Sequence, residues 1–191
     1  MSVFGFIFWG VIAVALIYIV SIYNGLVTLK HAVSKAWANI DVLLKQRHDE
    51  LPKLVETCKQ YMKYEQETLE NVMKARSSVA SAQQQGDISA LGKAESSMRL
   101  GLGSLFAVAE AYPDLKADQT FQHLQARITG LENAIADRRE FYNESVNNNN
   151  VRIEQFPDLF VARLFNFKAH SLLEFSEQEI TDVNLNSLFN K

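Results

Sequence analysis

The sequence is poor in residues that cross-link a chain or break helices, since its 191 residues include one cysteine and three prolines. Cys58 therefore cannot form an internal disulfide. Because it lies in a row of apolar residues at helical spacing, we interpret it as a small core residue rather than a nucleophile. Excess positive charge is also absent, with a formal net charge of −3. Nucleic-acid binding usually needs a concentrated basic face, so no nucleic-acid partner is predicted.

Charge is missing altogether from the first 29 residues, since every Lys, Arg, Asp and Glu falls from Lys30 onward. The apolar run from Val3 to Tyr23 would span about 30 Å as a helix, which is the thickness of a hydrocarbon core. We therefore predict a transmembrane anchor over residues 1–29, surrounded by membrane lipid. The side chains expected to contact lipid or its interface are Phe4, Phe6, Trp9, Ile12, Leu16, Tyr18, Ile19 and Tyr23.

A cleaved signal peptide is the alternative interpretation, because Ala13-Val14-Ala15 resembles a cleavage site. The tail before the apolar run has no Lys or Arg, and the residues after Ala15 stay apolar for two more turns. Both features favour an uncleaved anchor. Positive charge follows the anchor at Lys30 and Lys35 but does not precede it, so the positive-inside rule places the N-terminus outside and the remainder in the cytoplasm.

Apolar residues at three- and four-residue steps predict helices through the rest of the chain. The first such stripe predicts one long helix from Lys30 to Ala82, kinked near Asp49 to Pro52 and able to continue from the anchor. The first predicted turn is Gln83 to Asp87, in which Gly86 ends one helix and Asp87 caps the next.

Three further helices are predicted after this turn. The first runs from Ile88 to Ala111, the second from an N-cap at Asp118 to a frayed end within Asn147 to Asn150, and the third from Leu159 to Phe167. The predicted fold class is all-α: an N-terminal transmembrane helix, then an antiparallel, coiled-coil-like long-helix bundle over residues 30–167. Residues 168–191 form a tail that is either disordered or docked on the bundle.

Unequal helix lengths predict self-association. A helix from Lys30 to Ala82 would be about 80 Å long, against about 35 Å for Ile88 to Ala111. Part of the longer apolar stripe would then need another partner, either the C-terminal helix or a second copy of the chain. A homo-oligomer is therefore expected.

No catalytic, cofactor-binding or metal-binding residues are predicted. The four histidines fit no metal-ligand spacing, and Gly101-Leu102-Gly103 lacks the strand and the Gly-Lys-Ser/Thr of a phosphate loop, so close helix approach is the expected use of these glycines. Polar residues near the apolar stripes could form a buried acid/base or ligand site. We favour interhelical ion pairs that fix helix register. These residues are Asp41, Arg47, Asp49, Glu65, Arg76, Glu110, Glu132, Arg138, Arg139 and Asn143.

Ordered sequence blocks carry a resemblance to a known family, and Glu110-Ala111-Tyr112-Pro113-Asp114-Leu115-Lys116-Ala117 is the most distinctive of them. The chain resembles the LemA family of bacterial membrane proteins from about Tyr23 to Phe167. It departs from the family where Asn149-Asn150 replaces a second Tyr-Asn pair. The family-motif and polar-network residues are Asn24, Trp37, Asp41, Arg47, Asp49, Pro52, Glu65, Arg76, Glu110, Tyr112, Pro113, Glu132, Arg138 and Asn143.

The resemblance implies a single-pass protein of the bacterial inner membrane with an antiparallel helical bundle and no established enzymatic reaction. Because a magnetosome membrane protein belongs to the family, it also implies a role in organising membrane. The expected function is a non-enzymatic scaffold that self-associates. The alternatives are an adaptor that regulates a membrane protease, transporter or signalling complex, and an unrecognised enzyme or ligand-binding bundle that uses the polar residues.

Overall fold

A computed structural model describes residues 3–174, and these residues are almost entirely helical. No strand occurs among them, so the predicted all-α class is confirmed. Predictions for the tail from residue 175 onward lie outside the described residues. The six helices are α1 (Val3–Tyr61), α2 (Gln66–Gln85), α3 (Ile88–Ala109), α4 (Pro113–Ala117), α5 (Gln119–Glu154) and α6 (Asp158–Leu164).

The chain divides into two compact units. Within the described residues, the first comprises 3–40 and Asp137–Leu172, and the second comprises Asp41–Ala136 and 173–174. The anchor therefore belongs to the same unit as the C-terminal part of α5 and all of α6. It is continuous with the rest of α1, and its buried residues Ile22 and Leu26 pack with α6.

Helix α1 continues from the apolar run without interruption, in agreement with the sequence prediction. It is long and apolar enough to cross a membrane, and its most apolar window has no buried residue. Phe4, Phe6 and Trp9 are all exposed by more than 60%. Side chains with this exposure suit a lipid environment, because in water they would form an uncovered apolar surface.

In the second unit, contacts between α1 and α5 establish an antiparallel pair. Tyr61 at the end of α1 donates a 3.0 Å hydrogen bond to Asp118 at the start of α5. Glu50 is paired farther along with Arg127. Helix α2 packs against α3 after a turn at Gly86, whose φ of 66° and hydrogen bonds to the end of α2 fit the predicted helix terminator. The predicted N-cap, Asp87, accepts from the N–H of Ala90.

The predicted helix from Lys30 to Ala82 is wrong, because α1 ends at Tyr61 and α2 begins at Gln66. The connection contains neither Gly nor Pro and so lacks the usual turn signals. Met62 at its start and Leu69 after it are both buried, which explains why the apolar stripe continues across the break. The part of α1 beyond the anchor is about 48 Å long and α5 is about 54 Å long. The length mismatch that predicted self-association therefore disappears.

Three other helix boundaries differ from prediction. Helix α3 ends at Ala109 instead of Ala111, and α6 covers Asp158–Leu164 instead of reaching Phe167. Helix α5 does not fray within Asn147 to Asn150 but extends to Glu154. Asn149 and Asn150 hydrogen-bond to the segment after α6, so their polar side chains are satisfied within the fold.

Candidate functional site

The most deeply buried polar cluster joins three helices of the second unit. Arg47 of α1 is 1% exposed, Glu95 of α3 is 4% exposed, and the side chain of Glu132 of α5 is 16% exposed. Both guanidinium Nη atoms of Arg47 contact the Glu95 carboxylate, with Nη1 2.9 Å from Oε2, and Nη1 also donates to Glu132. The planar fork of arginine suits this two-point contact, and the cluster joins α1, α3 and α5.

Burial and ion pairing shift the pKa values of these charged groups in opposite directions. Burial lowers the pKa of Arg47, but the neighbouring Glu95 and Glu132 carboxylates outweigh it and raise that pKa overall. Burial raises the pKa of Glu95 even though Arg47 opposes the shift. Every described buried side-chain nitrogen and oxygen has a hydrogen-bond partner. The guanidinium therefore acts as an internal counter-ion to the two protein carboxylates that it contacts.

A second polar contact compensates for Pro52 inside α1. Proline has no N–H, so the carbonyl of His48, four residues earlier, lacks its helical donor. Arg76 of α2 supplies the donor, with its Nε 3.0 Å from His48 O, and its second nitrogen lies 2.6 Å from His48 Nε2. Burial lowers the pKa of His48, and the positive charge of Arg76 lowers it further. Because a guanidinium can only donate, this contact requires the neutral imidazole tautomer that accepts at Nε2.

The remaining predicted polar residues of the second unit make separate contacts. Asp41 accepts from Lys45 and Gln83 at 2.6 Å each, and these hydrogen bonds lower the pKa of its carboxyl. Tyr112 donates to Glu65 at 3.4 Å. The exposed Glu110 pairs with Lys116. Pro113 is the first residue of α4, and Asp49 is an exposed residue of α1.

In the first unit the predicted polar and family-motif residues also make separate contacts. The Trp37 ring lies 5.6 Å from that of Tyr142, and Arg138 lies over the ring of Phe141 at 5.7 Å. The carbonyl of the exposed Asn24 accepts from Thr28, and Asn143 is half-buried. The contact of Trp37 with Tyr142 joins α1 to α5, whereas those of Arg138 and Asn24 lie within one helix. These contacts do not converge on one catalytic group.

Neither a metal cluster nor a reactive thiol is found in the described part of the chain. No group of three or more His, Cys, Asp or Glu side chains within residues 3–174 could hold a metal ion. Cys58 is buried and free, and burial raises the pKa of its thiol to about 12. A thiol protonated at neutral pH is a poor nucleophile, in keeping with a packing role.

An apolar cluster joins the end of the anchor to α6 in the first unit. Val161 and Ala162 of α6 are buried with Ile22, Leu26 and Ile153. The next two aromatic residues after the helix extend this contact, because the ring of Tyr23 lies 4.7 Å from that of Phe165 and 5.8 Å from that of Phe167. Helix α6 is therefore held against α1 where the apolar run ends.

The segment after α6 is fixed to α5 by side-chain hydrogen bonds. Asn150 Oδ1 accepts from the N–H of His170 and its Nδ2 donates to His170 O, both at 2.9 Å. Asn149 donates to Lys168 O at 3.3 Å, and Tyr142 donates to Ser171 O at 3.0 Å. The departure from the family pattern at Asn149-Asn150 thus provides contacts for this segment.

The second unit also contains an open groove of about 1000 Å³ beside the end of α1 and the face of α2. Its buried lining residues are apolar, and its exposed ones include three lysines and Glu70. The lining residues are Val55, Lys59, Met62, Lys63, Gln66, Leu69, Glu70, Met73, Lys74, Ser77 and Ser78.

The sequence prediction missed two residues with central contacts. Glu95 lies four residues after Leu91 and three before Met98, so it interrupts an apolar row just as Arg47 does. That interruption is the available signal, but the neighbouring Ala94 also fits the apolar spacing. His48 contacts Arg76 through its carbonyl as well as its ring, and no spacing rule predicts such a contact.

Comparison with known proteins identifies the class to which this anchored helical chain belongs. The model of the LemA family matches residues 36–186, which is more than half of the chain. The chain therefore belongs to the LemA family, and the predicted resemblance is confirmed.

Its curated relatives include magnetosome proteins. MamQ 1 and MamQ 2 of Paramagnetospirillum magneticum are each 26% identical over 169 residues, and MamQ of Magnetospirillum gryphiswaldense is 25% identical over the same length. Each match covers 76% of this chain and 62% of the relative. The chain thus spans less than two thirds of the length of these relatives. The family match and the apolar N-terminal helix together indicate a membrane-associated protein.

Proposed function

We propose that this protein is a non-enzymatic, membrane-anchored helical scaffold that self-associates and organises membrane assemblies. The observation that carries the proposal is the continuity of α1, which makes the anchor part of a compact unit with α5 and α6. A rigidly attached unit can hold a defined position beside the bilayer, whereas a flexible tether cannot.

The buried charges support a structural role. Arg47 contacts Glu95 and Glu132, and Arg76 contacts His48, so these groups are engaged within the protein. General acid/base catalysis needs a group that can exchange a proton with a substrate. Internal pairs that tie helices together serve packing instead.

Self-association needs a surface shared by copies, and the anchor can provide it within the bilayer. Its apolar stretch is unburied in a single chain, and a Cβ added at Gly5 or Gly10 would meet no atom within 4 Å. Small residues allow transmembrane helices to approach closely. The relatives described above are magnetosome proteins by name, which suits a scaffold. We place the N-terminus outside and the remainder in the cytoplasm, since Lys30 and Lys35 follow the anchor.

The test is reconstitution of the full-length protein in vesicles at several protein-to-lipid ratios. Energy transfer between two labelled populations should exceed that of randomly distributed molecules, and electron microscopy should show clustered protein with altered vesicle shape. Replacing Gly5 and Gly10 with leucine should reduce the transfer, while Leu16→Ile is the matched control. A protein that stays monomeric over the whole range would disprove the scaffold.

The groove in the second unit favours a second function, an adaptor for another membrane protein. Its buried apolar lining and three exposed lysines fit a partner helix that has an apolar face and acidic flanks. A photo-crosslinking residue at Ser77, which lines the groove, should capture a heterologous membrane protein in cells. The same residue at the exposed Ala126 of α5 is the control. Crosslinks to this chain alone would count against the adaptor.

A further inference from the structure

Three large apolar side chains around α6 are exposed on the first unit. Phe156 is 81%, Phe160 64% and Leu164 76% exposed, while Val161 and Ala162 on the opposite side are buried. Phe160 and Leu164 are one helical turn apart, and the ring of Phe156 lies 5.9 Å from that of Phe160. We call these three residues the α6 apolar face.

The α6 apolar face lies near the end of the anchor. Ile22 and Leu26 of α1 are buried with Val161 and Ala162, and Tyr23 contacts Phe165. The apolar run from Val3 to Tyr23 matches the thickness of a bilayer core, so Tyr23 lies at the boundary between lipid and water. Because α6 is packed at that level of α1, its exposed face lies beside the residues at which the apolar run ends.

The charges near the face also suit a lipid interface. Asp158 is buried and paired with Arg152, so its carboxylate does not project from α6 toward lipid. Arg163 within α6 and Lys168 after it are exposed cations, and Glu154 before it is an exposed anion. Short amphipathic helices bind interfaces by burying aromatic and aliphatic side chains while basic residues meet lipid headgroups.

We propose that the α6 apolar face inserts into the interface of the bilayer that holds α1, as a second membrane contact of the same chain. This inference rests on the membrane anchoring in the proposed function. It adds a contact that fixes the rotation and tilt of the first unit against the membrane, which a single crossing helix leaves free.

The test uses the full chain with one added cysteine, labelled with an environment-sensitive fluorophore, in phosphatidylcholine and phosphatidylglycerol vesicles. The native Cys58 is buried and stays unlabelled. Phe160→Cys probes the α6 apolar face. Phe141→Cys is the matched control, because it is an exposed phenylalanine of the same unit that lies about 18 Å along α5 from Ile153. Ile12→Cys reports whether the anchor is inserted.

The expected result is a blue-shifted emission at position 160 that loses more than about half its intensity to lipids spin-labelled near the headgroup, as interfacial insertion requires. Position 141 should be quenched little, and position 12 should be quenched by lipids labelled deep in the chain. Quenching at 12 with equal, weak quenching at 160 and 141 would overturn the inference while leaving the anchor intact. Absence of quenching at 12 would overturn the anchor itself.

Protein partners at the face would give different results. Shielding of position 160 that grows with protein density but is insensitive to spin-labelled lipid would assign the face to a second copy of the chain. A label that is exposed in purified vesicles but shielded in native membranes would assign it to a different membrane protein. Either outcome would overturn the bilayer assignment.

Discussion

Arg76 donates a 3.0 Å hydrogen bond from its Nε to the carbonyl oxygen of His48, the acceptor that Pro52 leaves without a helical partner. The proline and the arginine are separated in sequence and lie on different helices. The proline leaves the His48 carbonyl without a donor, and the arginine supplies one. Helix α1 passes through Pro52 and continues to Tyr61. The arginine thus replaces from outside the helix the donor that proline lacks.

The first prediction concerns the coupling between these two residues. Arg76→Met should lower the free energy of unfolding by about 1–3 kcal/mol, because it leaves the half-buried His48 carbonyl without a donor. In a Pro52→Ala background the alanine N–H can bond to that carbonyl, so the cost of Arg76→Met should be smaller. Urea unfolding in detergent measures this double-mutant cycle. Lys74→Met, at an exposed position of α2, is the control, and equal costs in both backgrounds would contradict the coupling.

The second prediction concerns the buried ion cluster. Arg47→Met leaves the Glu95 and Glu132 carboxylates without their cation and should destabilise the protein by about 3–5 kcal/mol. Replacing Glu95 and Glu132 with methionine as well removes the unpaired charges and should restore most of that loss. The measurement is chemical unfolding of the single and triple variants.

The same two variants separate structural from chemical roles. If the cluster only fixes helix register, the triple variant should give the same energy transfer in vesicles as the parent protein. A stable triple variant that has lost self-association would show that the charges themselves serve the function.

The sequence predicted those parts of the fold that depend on local chemistry. Gly86 adopts the left-handed backbone conformation that glycine permits, and the side chain of Asp87 caps the N-terminus of α3. The break after Tyr61 could not be found in this way, because Met62 and Leu69 both face a core and keep the apolar period. Its position depends on packing between distant segments rather than on a local breaker.

Among the candidate polar residues, too, local sequence predicts some features, whereas others depend on packing between distant segments. Arg47 could be singled out because a cation stands in an apolar row, and that row alone indicates burial. Its partner Glu95 required knowing how α1 and α3 face each other. The contact between Arg76 and the His48 carbonyl was inaccessible for a similar reason, since a backbone oxygen has no residue-specific signal.

The third prediction concerns the attachment of the segment after α6. Asn150→Asp keeps the acceptor for His170 N–H but replaces the donor to His170 O with an oxygen, so one hydrogen bond becomes a repulsion. We expect a loss of about 1 kcal/mol and faster amide hydrogen exchange over residues 168–172. Asn147→Asp, an exposed position on the same helix, is the control. Unchanged exchange in Asn150→Asp would show that other contacts hold the segment.

The fourth prediction contrasts two glycines of α3. A Cβ at Gly92 would lie 2.0 Å from the carbonyl oxygen of Glu174, whereas a Cβ at Gly103 would meet nothing within 4 Å. The backbone of Glu174 approaches α3 so closely that position 92 requires glycine. The expectation that Gly103 allows a close helix approach is wrong. Gly103→Ala should stabilise the helix by about 1 kcal/mol.

Gly92→Ala should instead displace Glu174 and expose the neighbouring Leu173, which is 1% exposed, at a cost of about 1.5–3 kcal/mol. Thermal unfolding in detergent compares the two variants. Similar stabilisation by both alanines would show that Glu174 does not pack on α3.

The fifth prediction concerns pH and follows from the environment of His48. Burial and the nearby positive charges of Arg76 and Arg47 lower its pKa from the ordinary value of 6.5, and Asp49 opposes the shift only partly. The unfolded chain therefore takes up a proton on His48 at a higher pH than the folded protein does. Its contribution to stability is present above about pH 6.5 and is lost as the pH falls from there toward the folded-state pKa.

Unfolding free energies measured between about pH 7.5 and pH 5 should decline more steeply in the parent protein than in His48→Gln, since glutamine can still accept from Arg76 but cannot titrate. His123→Gln, at an exposed position of α5, is the matched control and should keep the parent slope. Parallel pH profiles for the parent and His48→Gln would mean that protonating His48 does not compete with its contact to Arg76. The hydrogen bond from Arg76 to the imidazole would then contribute nothing to stability, and the compensation for Pro52 would rest on the backbone contact alone.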